Sequence, residues 1–158
     1  MPGWRWSLLE GSELRLLWPV VAMAEPGRAP ERWLRDARRW LARNRGQRYL
    51  VAVRFRDGPY VGGLMWEYRP HGRLAAPHGF VPRLWSLEPS GRPRTFAALI
   101  AAGRELARSR GCAGLLVDPK GLAVDLPPET RHGWLGGHAG RPTGEGWWWS
   151  IEEPGLPA

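Results

Sequence analysis

The sequence predicts an α+β fold, a single domain built on a central mixed, twisted β-sheet with helices on its faces. Three observations carry this prediction. An Asp57-Gly58 turn joins two alternating apolar runs, the strongest short-range hairpin signal a sequence offers. A strand, an Arg- and Gly-containing loop, a helix and a second strand follow one another from Phe80 to Val117, an order that requires two parallel strands. Finally, 158 residues with 43% hydrophobic and 24% charged side chains suit one globular domain, and no internal repeat is present.

Taken in order, residues 1–12 read as an N-terminal extension. Glu13 to Met23 is dense in apolar residues (Leu14, Leu16, Leu17, Trp18, Val20, Val21, Met23) and predicts a buried strand interrupted near Pro19. Pro30 then precedes a helix whose Trp33, Ala37, Trp40 and Leu41 share one face, with Leu34 beside it. Arg32, Arg35, Asp36, Arg38, Arg39 and Arg43 take the other faces, and Asn44-Arg45-Gly46 ends the helix. The hairpin strands are Tyr49 to Phe55 and Val61 to Tyr68. Arg69 to Gly79 is a loop, and Phe80 to Leu87 is a strand broken by Pro82. From Pro93 to Arg110, Phe96, Ile100, Gly103 and Ala107 recur at three-to-four spacing, which predicts a helix ended by Gly111. Cys112 to Val117 is a short apolar strand. Asp118 to Gly146 shows no period and reads as an irregular loop region. Trp147 to Ile151 is a terminal strand, and 154–158 a frayed tail.

The formal net charge is +8, and its cations are 22 arginines and the single Lys120. A GC-rich genome accounts for arginine over lysine but not for the excess over acidic residues, so an anionic partner is expected. No run approaches the eighteen or so apolar residues of a membrane span, which argues against a membrane partner. Glu10 and Glu13 interrupt any secretory h-region, and Cys112 is the only cysteine, so no intrachain disulfide can form. These features predict a soluble cytoplasmic protein.

The loop at the start of the second long helix is where an anion belongs. The first N–H groups of a helix have no internal partner, and the helix dipole adds roughly half a positive charge there. Arg92 and Arg94 add mobile charge, so a phosphate or pyrophosphate is the natural ligand.

Here the chain resembles the GNAT superfamily of N-acetyltransferases. The family's coenzyme A loop, Q/R-x-x-G-x-G/A, is matched by Arg92-x-x-Thr95-x-Ala97 within Pro89-Ser90-Gly91-Arg92-Pro93-Arg94-Thr95-Phe96-Ala97. The order of elements from about residue 13 to 118 is also that of the family. The resemblance implies acetyl-CoA or another acyl-CoA as cofactor, with Arg92, Pro93, Arg94, Thr95, Phe96 and Ala97 as its loop. It further implies that a backbone N–H near Trp85 to Leu87 polarises the thioester carbonyl, which an amine on a small molecule or protein attacks directly. Three departures stand out. Thr95 replaces the central glycine, and Pro93 removes a backbone donor. The tyrosines Tyr49, Tyr60 and Tyr68 all lie upstream of the region where the family often carries one.

Amine attack needs a group to take a proton, and Glu67 and Glu88 are the candidates, one on the hairpin's return strand and one at a strand end. Cys112 reads as a small core residue. His132 and His138 lack a metal spacing, and His71 and His78 fall in a loop, so no metal is expected. Trp18, Trp33, Trp40, Trp66 and Trp85 fall on predicted elements and read as core. Among Trp147, Trp148 and Trp149, at least one must leave the core side. That terminal strand, if unpaired, would offer a homodimer edge. Two other readings stand beside the acyltransferase: a GNAT-like binding protein without turnover, and an Arg/Trp-rich nucleic-acid-binding module. The arginines spread along the chain without a reader motif, which ranks nucleic acid last.

Overall fold

The computed structural model of the chain describes residues 2–70, 76–124, 128–138 and 140–152, with the backbone alone for 128–132. Part of the loop after Arg69 and the tail 154–158 lie outside the described residues. The strands are β1 (Trp4–Leu8), β2 (Arg48–Phe55), β3 (Tyr60–Arg69), β4 (His78–Ser86), β5 (Gly114–Val117), β6 (Leu122–Val124), β7 (Arg141–Pro142) and β8 (Trp147–Ser150). The helices are α1 (Trp18–Ala24), α2 (Pro30–Arg43), α3 (Arg94–Ser109) and α4 (Pro128–Gly137). Among the described residues the strands form one sheet in the order β1-β2-β3-β4-β5-β8-β7, with β6 beside β4. The β4–β5 and β4–β6 pairs are parallel and the others antiparallel. This is the mixed sheet of the predicted α+β class. No helix among the described residues is long and apolar enough to cross a membrane.

The hairpin, the long amphipathic helix and the β4–α3–β5 unit form where the sequence places them. In the hairpin turn Arg56 takes a left-handed φ of 54°, and Asp57 and Gly58 complete the reversal into β3. In α2 the buried residues are Trp33, Leu34 and Ala37, while Arg32, Arg35, Arg38, Arg39 and Arg43 face solvent.

Three expectations are corrected. The apolar run after Glu10 is a 3₁₀ segment, Gly11–Leu17, continuing into α1, and not a strand. Leu14, Leu17, Val20 and Val21 are buried while Leu16 and Met23 are 55% and 62% exposed, a one-sided helical pattern hidden by the density of apolar residues. Pro19 sits in the first turn of α1, where a missing N–H costs nothing. Next, residues 1–12 are not a mere extension, because β1 pairs with β2 from Trp4↔Phe55 to Leu8↔Val51. Last, the Asp118 to Gly146 stretch holds a 3₁₀ turn (Pro119–Gly121), β6, α4 and β7.

The two faces of the sheet bury two clusters. On one face Val51, Val53, Leu64, Trp66, Val81 and Leu115 pack against Phe96, Leu99, Ile100 and Leu106 of α3. On the other, Leu50, Ala52 and Trp85 meet Leu14, Leu17, Val20, Val21 and Trp33 from the 3₁₀ segment, α1 and α2. The tryptophan triplet alternates as a strand must: Trp147 and Trp149 are buried, while Trp148 lies half-buried beside His78, with ring centroids 6.0 Å apart. Because β8 lies between β5 and β7, the first half of the dimer edge expected there, Trp147 and Trp148, is paired.

Gly79 to Val81 pair with β5, and Leu84 to Ser86 pair with β6, so β4 changes parallel partners around Pro82. A residue without an N–H is tolerated at such a break, and β3 carries a register shift at the same level, between Met65 and Glu67.

Candidate functional site

The first turn of α3 has no cap of its own. Its N-cap residue is Pro93, which offers no side-chain acceptor, so the leading N–H groups must find one elsewhere. Glu88 supplies it from beyond the end of β4. Its Oε2 accepts from Thr95 N–H at 3.1 Å, and its Oε1 accepts from Phe96 N–H at 2.7 Å and from the Ser86 hydroxyl at 2.8 Å. Burial raises the Glu88 pKa above the ordinary carboxylate value, against the opposing pull of the Phe96 N–H, the Ser86 hydroxyl and the Thr95 and Arg94 N–H groups. The intervening loop turns at Gly91, with φ of 67° and an N–H to Glu88 O bond of 3.0 Å. Arg92 and Arg94 stand exposed at the rim, their guanidinium groups without a hydrogen bond or ion pair among the described residues.

Thr95 does not crowd this loop. Its side chain is 2% exposed and turns inward, where its Cγ2 occupies the hollow over Gly62. A Cβ built at Gly62 would lie 2.7 Å from that methyl and 2.9 Å from Leu99 Cδ1. Gly62→Ala is therefore expected to cost about 1–3 kcal/mol by overpacking. Combining it with Thr95→Ser should recover part of that loss, so a double-mutant cycle by urea unfolding reads a favourable coupling. Additive effects would show that the two residues do not share this contact.

Both sides of β4 are bonded next to the loop. Leu87 N–H donates to Val61 O at 3.0 Å, so by antiparallel alternation Trp85 also turns its backbone polar groups to β3. Leu84 and Ser86 face the other way, onto β6, in the register Leu84↔Leu122, Trp85↔Ala123 and Ser86↔Val124. The segment leading into β6 is held tightly: Asp118 N–H donates to Val81 O at 3.1 Å, and Asp118 Oδ1 accepts from Lys120 N–H at 2.9 Å. Gly121 lies so close to β4 that a Cβ there would fall 1.8 Å from Pro82 O.

The structure brings Trp85, Leu87, Glu88 and the Arg92 to Ala97 loop together and leaves Glu67 apart. Glu67 faces Phe80, six residues before Ser86 on β4, which is about 20 Å at roughly 3.3 Å per residue. It bridges Arg48 at 3.3 Å and Arg69 at 3.7 Å, while Arg48 also donates to Trp40 O at 3.1 Å. Cys112 is buried, and burial raises its thiol pKa more than Arg110 lowers it. Burial lowers the pKa of His138, whose ring packs on Phe96 at 5.5 Å and whose backbone carbonyl accepts from Trp149 Nε1 at 2.6 Å. His71 and the His132 ring lie outside the described residues. The arginine face of α2 carries no exposed ring, since none of the tryptophans is exposed.

No protein-family model matches the chain, and at the level of sequence no curated protein does. Solved structures do match. The apo aminoglycoside 6'-N-acetyltransferase AAC(6')-IG from Acinetobacter haemolyticus aligns with 95% of this chain and 99% of its own, at a TM-score of 0.67 and 14% identity. AAC(6')-Iy in complex with the bisubstrate analogue CoA-S-monomethyl-acetylneamine covers 83% of this chain and 84% of its own, at TM-score 0.58 and 19% identity. A ribosomal-protein-alanine N-acetyltransferase from Brucella melitensis biovar Abortus 2308 covers 85% and 89%, at TM-score 0.58 and 20% identity. The fold is that of the GNAT acetyltransferases.

Within this GNAT fold, the first amides of α3 do not stand free for a coenzyme A phosphate. The N–H groups of Thr95 and Phe96 are already given to a carboxylate, which has the same sign of charge. Above them β6 lies along β4. On the other face of the sheet, polar groups are left unsatisfied. The indole N–H groups of Trp85 and Trp33, in the cluster that includes Ala123 of β6, are buried and find no acceptor among the described residues. Sequence reasoning missed the capping role of Glu88 and the strand β6. A helix opening on Pro93, with no acceptor in reach of its first turn, was the available signal for Glu88; three residues are too few to show a period for β6.

Proposed function

We propose that this chain is an acyl-CoA-dependent N-acyltransferase, transferring an acyl group, acetyl in the simplest case, from the thioester to an amine on a small molecule or a protein. The observation that supports it best is the GNAT fold over nearly the whole chain, with the parallel β4–α3–β5 unit setting Arg92 and Arg94 at the rim of the loop. Several neighbours with this fold are named for acetylating aminoglycosides or a ribosomal protein's alanine. In this reading Arg92 and Arg94 attract the phosphate groups. Of the two carboxylates, Glu88 stands at the first turn of α3 and Glu67 serves the Arg48–Arg69 ion cluster.

A thermal-shift titration with acetyl-CoA and CoA tests the reading. A ligand that binds only the folded state raises the melting temperature by mass action. The parent is expected to show that rise, and an Arg92→Ala, Arg94→Ala variant to lose it. Release of free CoA on adding a panel of amines then identifies the acceptor class. A second reading, a GNAT-fold binding protein without turnover, is favoured by the occupation of the α3 amides by Glu88. It predicts no rise in either protein and no CoA release.

A further inference from the structure

We propose that β6 and the Glu88 carboxylate are an internal stand-in for the cofactor, covering the end of β4 and the first amides of α3 at rest, and that both must leave their places before an acyl-CoA can bind. The inference rests on the acyltransferase reading and concerns regulation of that same site.

Two independent contacts make the closure. At the helix end, Glu88 supplies an internal anion to Thr95 and Phe96 N–H, where a phosphate would otherwise be attracted. Along β4, Ala123 of β6 lies opposite Trp85, so the ladder that an extended ligand could form with Leu84 and Ser86 is made by the chain itself. Both contacts are small. One is a single carboxylate without a cationic partner among the described residues, although the guanidinium groups of Arg92 and Arg94 stand nearby in sequence. The other is a strand of three residues. The closed form also holds two buried indole N–H groups, of Trp33 and Trp85, that lack acceptors among the described residues. A ligand carrying phosphate oxygens would compete with the Glu88 carboxylate for the Thr95 and Phe96 N–H groups, and Arg92 and Arg94 can neutralise it. The closure and the ligand then compete for the same backbone groups, so the apparent dissociation constant is the intrinsic one divided by the open fraction.

Two variants weaken the closure by different routes. Gly121→Ala puts a Cβ 1.8 Å from Pro82 O and wedges β6 away from β4. Glu88→Gln keeps the shape and removes the competing charge. CoA binding is measured by calorimetry on the parent and both variants, with folding checked by circular dichroism. Amide exchange of Ser86 and Ala123 is followed by NMR in the parent with and without CoA. Each folded variant is expected to bind CoA about tenfold or more tightly than the parent, and saturating CoA should speed exchange at Ala123. Should Gly121→Ala fail to fold, Glu88→Gln decides. Variants that bind no tighter than the parent, or CoA binding that leaves Ala123 exchange unchanged, overturn the inference. No CoA binding by any form removes the acyltransferase reading instead. Exchange then judges the closure alone: protected Ser86 and Ala123 amides sustain it, and exchange at the rate of an unfolded chain overturns it.

Discussion

Replacing Phe96 with alanine is expected to remove about 3–5 kcal/mol of stability, lowering the melting temperature by roughly 6–20 °C for a chain of this size. Phe96 has no exposed surface and stands where three elements meet. Its ring lies 5.8 Å from Trp134 and 5.5 Å from His138, at the end of α4, and 6.5 Å from Trp149 on β8. Truncation leaves a cavity between α3, α4 and β8 that large neighbouring rings cannot fill by small shifts. Leu16→Ala is the matched control: Leu16 is 55% exposed, and its loss should fall within about 0.5 kcal/mol. Urea unfolding of both variants checks the pair. A loss below 1 kcal/mol at Phe96 would mean that α4 and β8 are not held through this residue.

Glu88 is the second site of large effect, and its signature is a dependence on pH. Glu88→Ala leaves the Thr95 and Phe96 N–H groups and the Ser86 hydroxyl without their acceptor, at a cost of about 1–3 kcal/mol. The sign of the titration follows from burial raising the folded pKa. Between the ordinary carboxylate value and that raised value the folded protein holds more protons than the unfolded chain, so stability falls as pH rises through this window. Glu88→Gln cannot titrate and loses this slope. Melting temperatures from pH 7 down to pH 4.5 should therefore show the parent gaining on Glu88→Gln as pH falls. Parallel curves for the two proteins would show that Glu88 titrates alike when folded and unfolded.

How legible each part was depended on whether its cause lay in local pattern or in tertiary contact. The hairpin was readable because Asp57-Gly58 meets a turn's local demand. So was α2, because its Trp33, Leu34 and Ala37 side chains are separated from an arginine face. The parallel β4–α3–β5 unit followed from connectivity alone. The 3₁₀ segment and α1 were misread because Leu16 and Met23, exposed in the fold, filled the gaps that would have shown a helical period. α4 was unreadable because its sequence, with Gly133, Gly136 and Gly137, has poor helix propensity. Tertiary contacts hold it, with Leu135 buried and Trp134 on Phe96. At the site the loop was found from its motif. The acceptor of its N–H groups was not, because Glu88 lies before the loop and reaches α3 only after β4 and the helix have packed.

The place of β8 sets an order on synthesis. The strand is made long after β5, yet among the described residues it is the strand that covers the outer edge of Gly114–Val117, and with α4 it closes over Phe96. A growing chain that has emerged only as far as Gly146 can complete the sheet from β1 to β5. It must then hold an apolar strand with unpaired backbone groups open to whatever arrives first. Trp147–Ser150 is therefore the cap that ends a period of vulnerability to pairing with other chains. Losses or delays at this end of the molecule would show first as aggregation and only afterwards as lost activity.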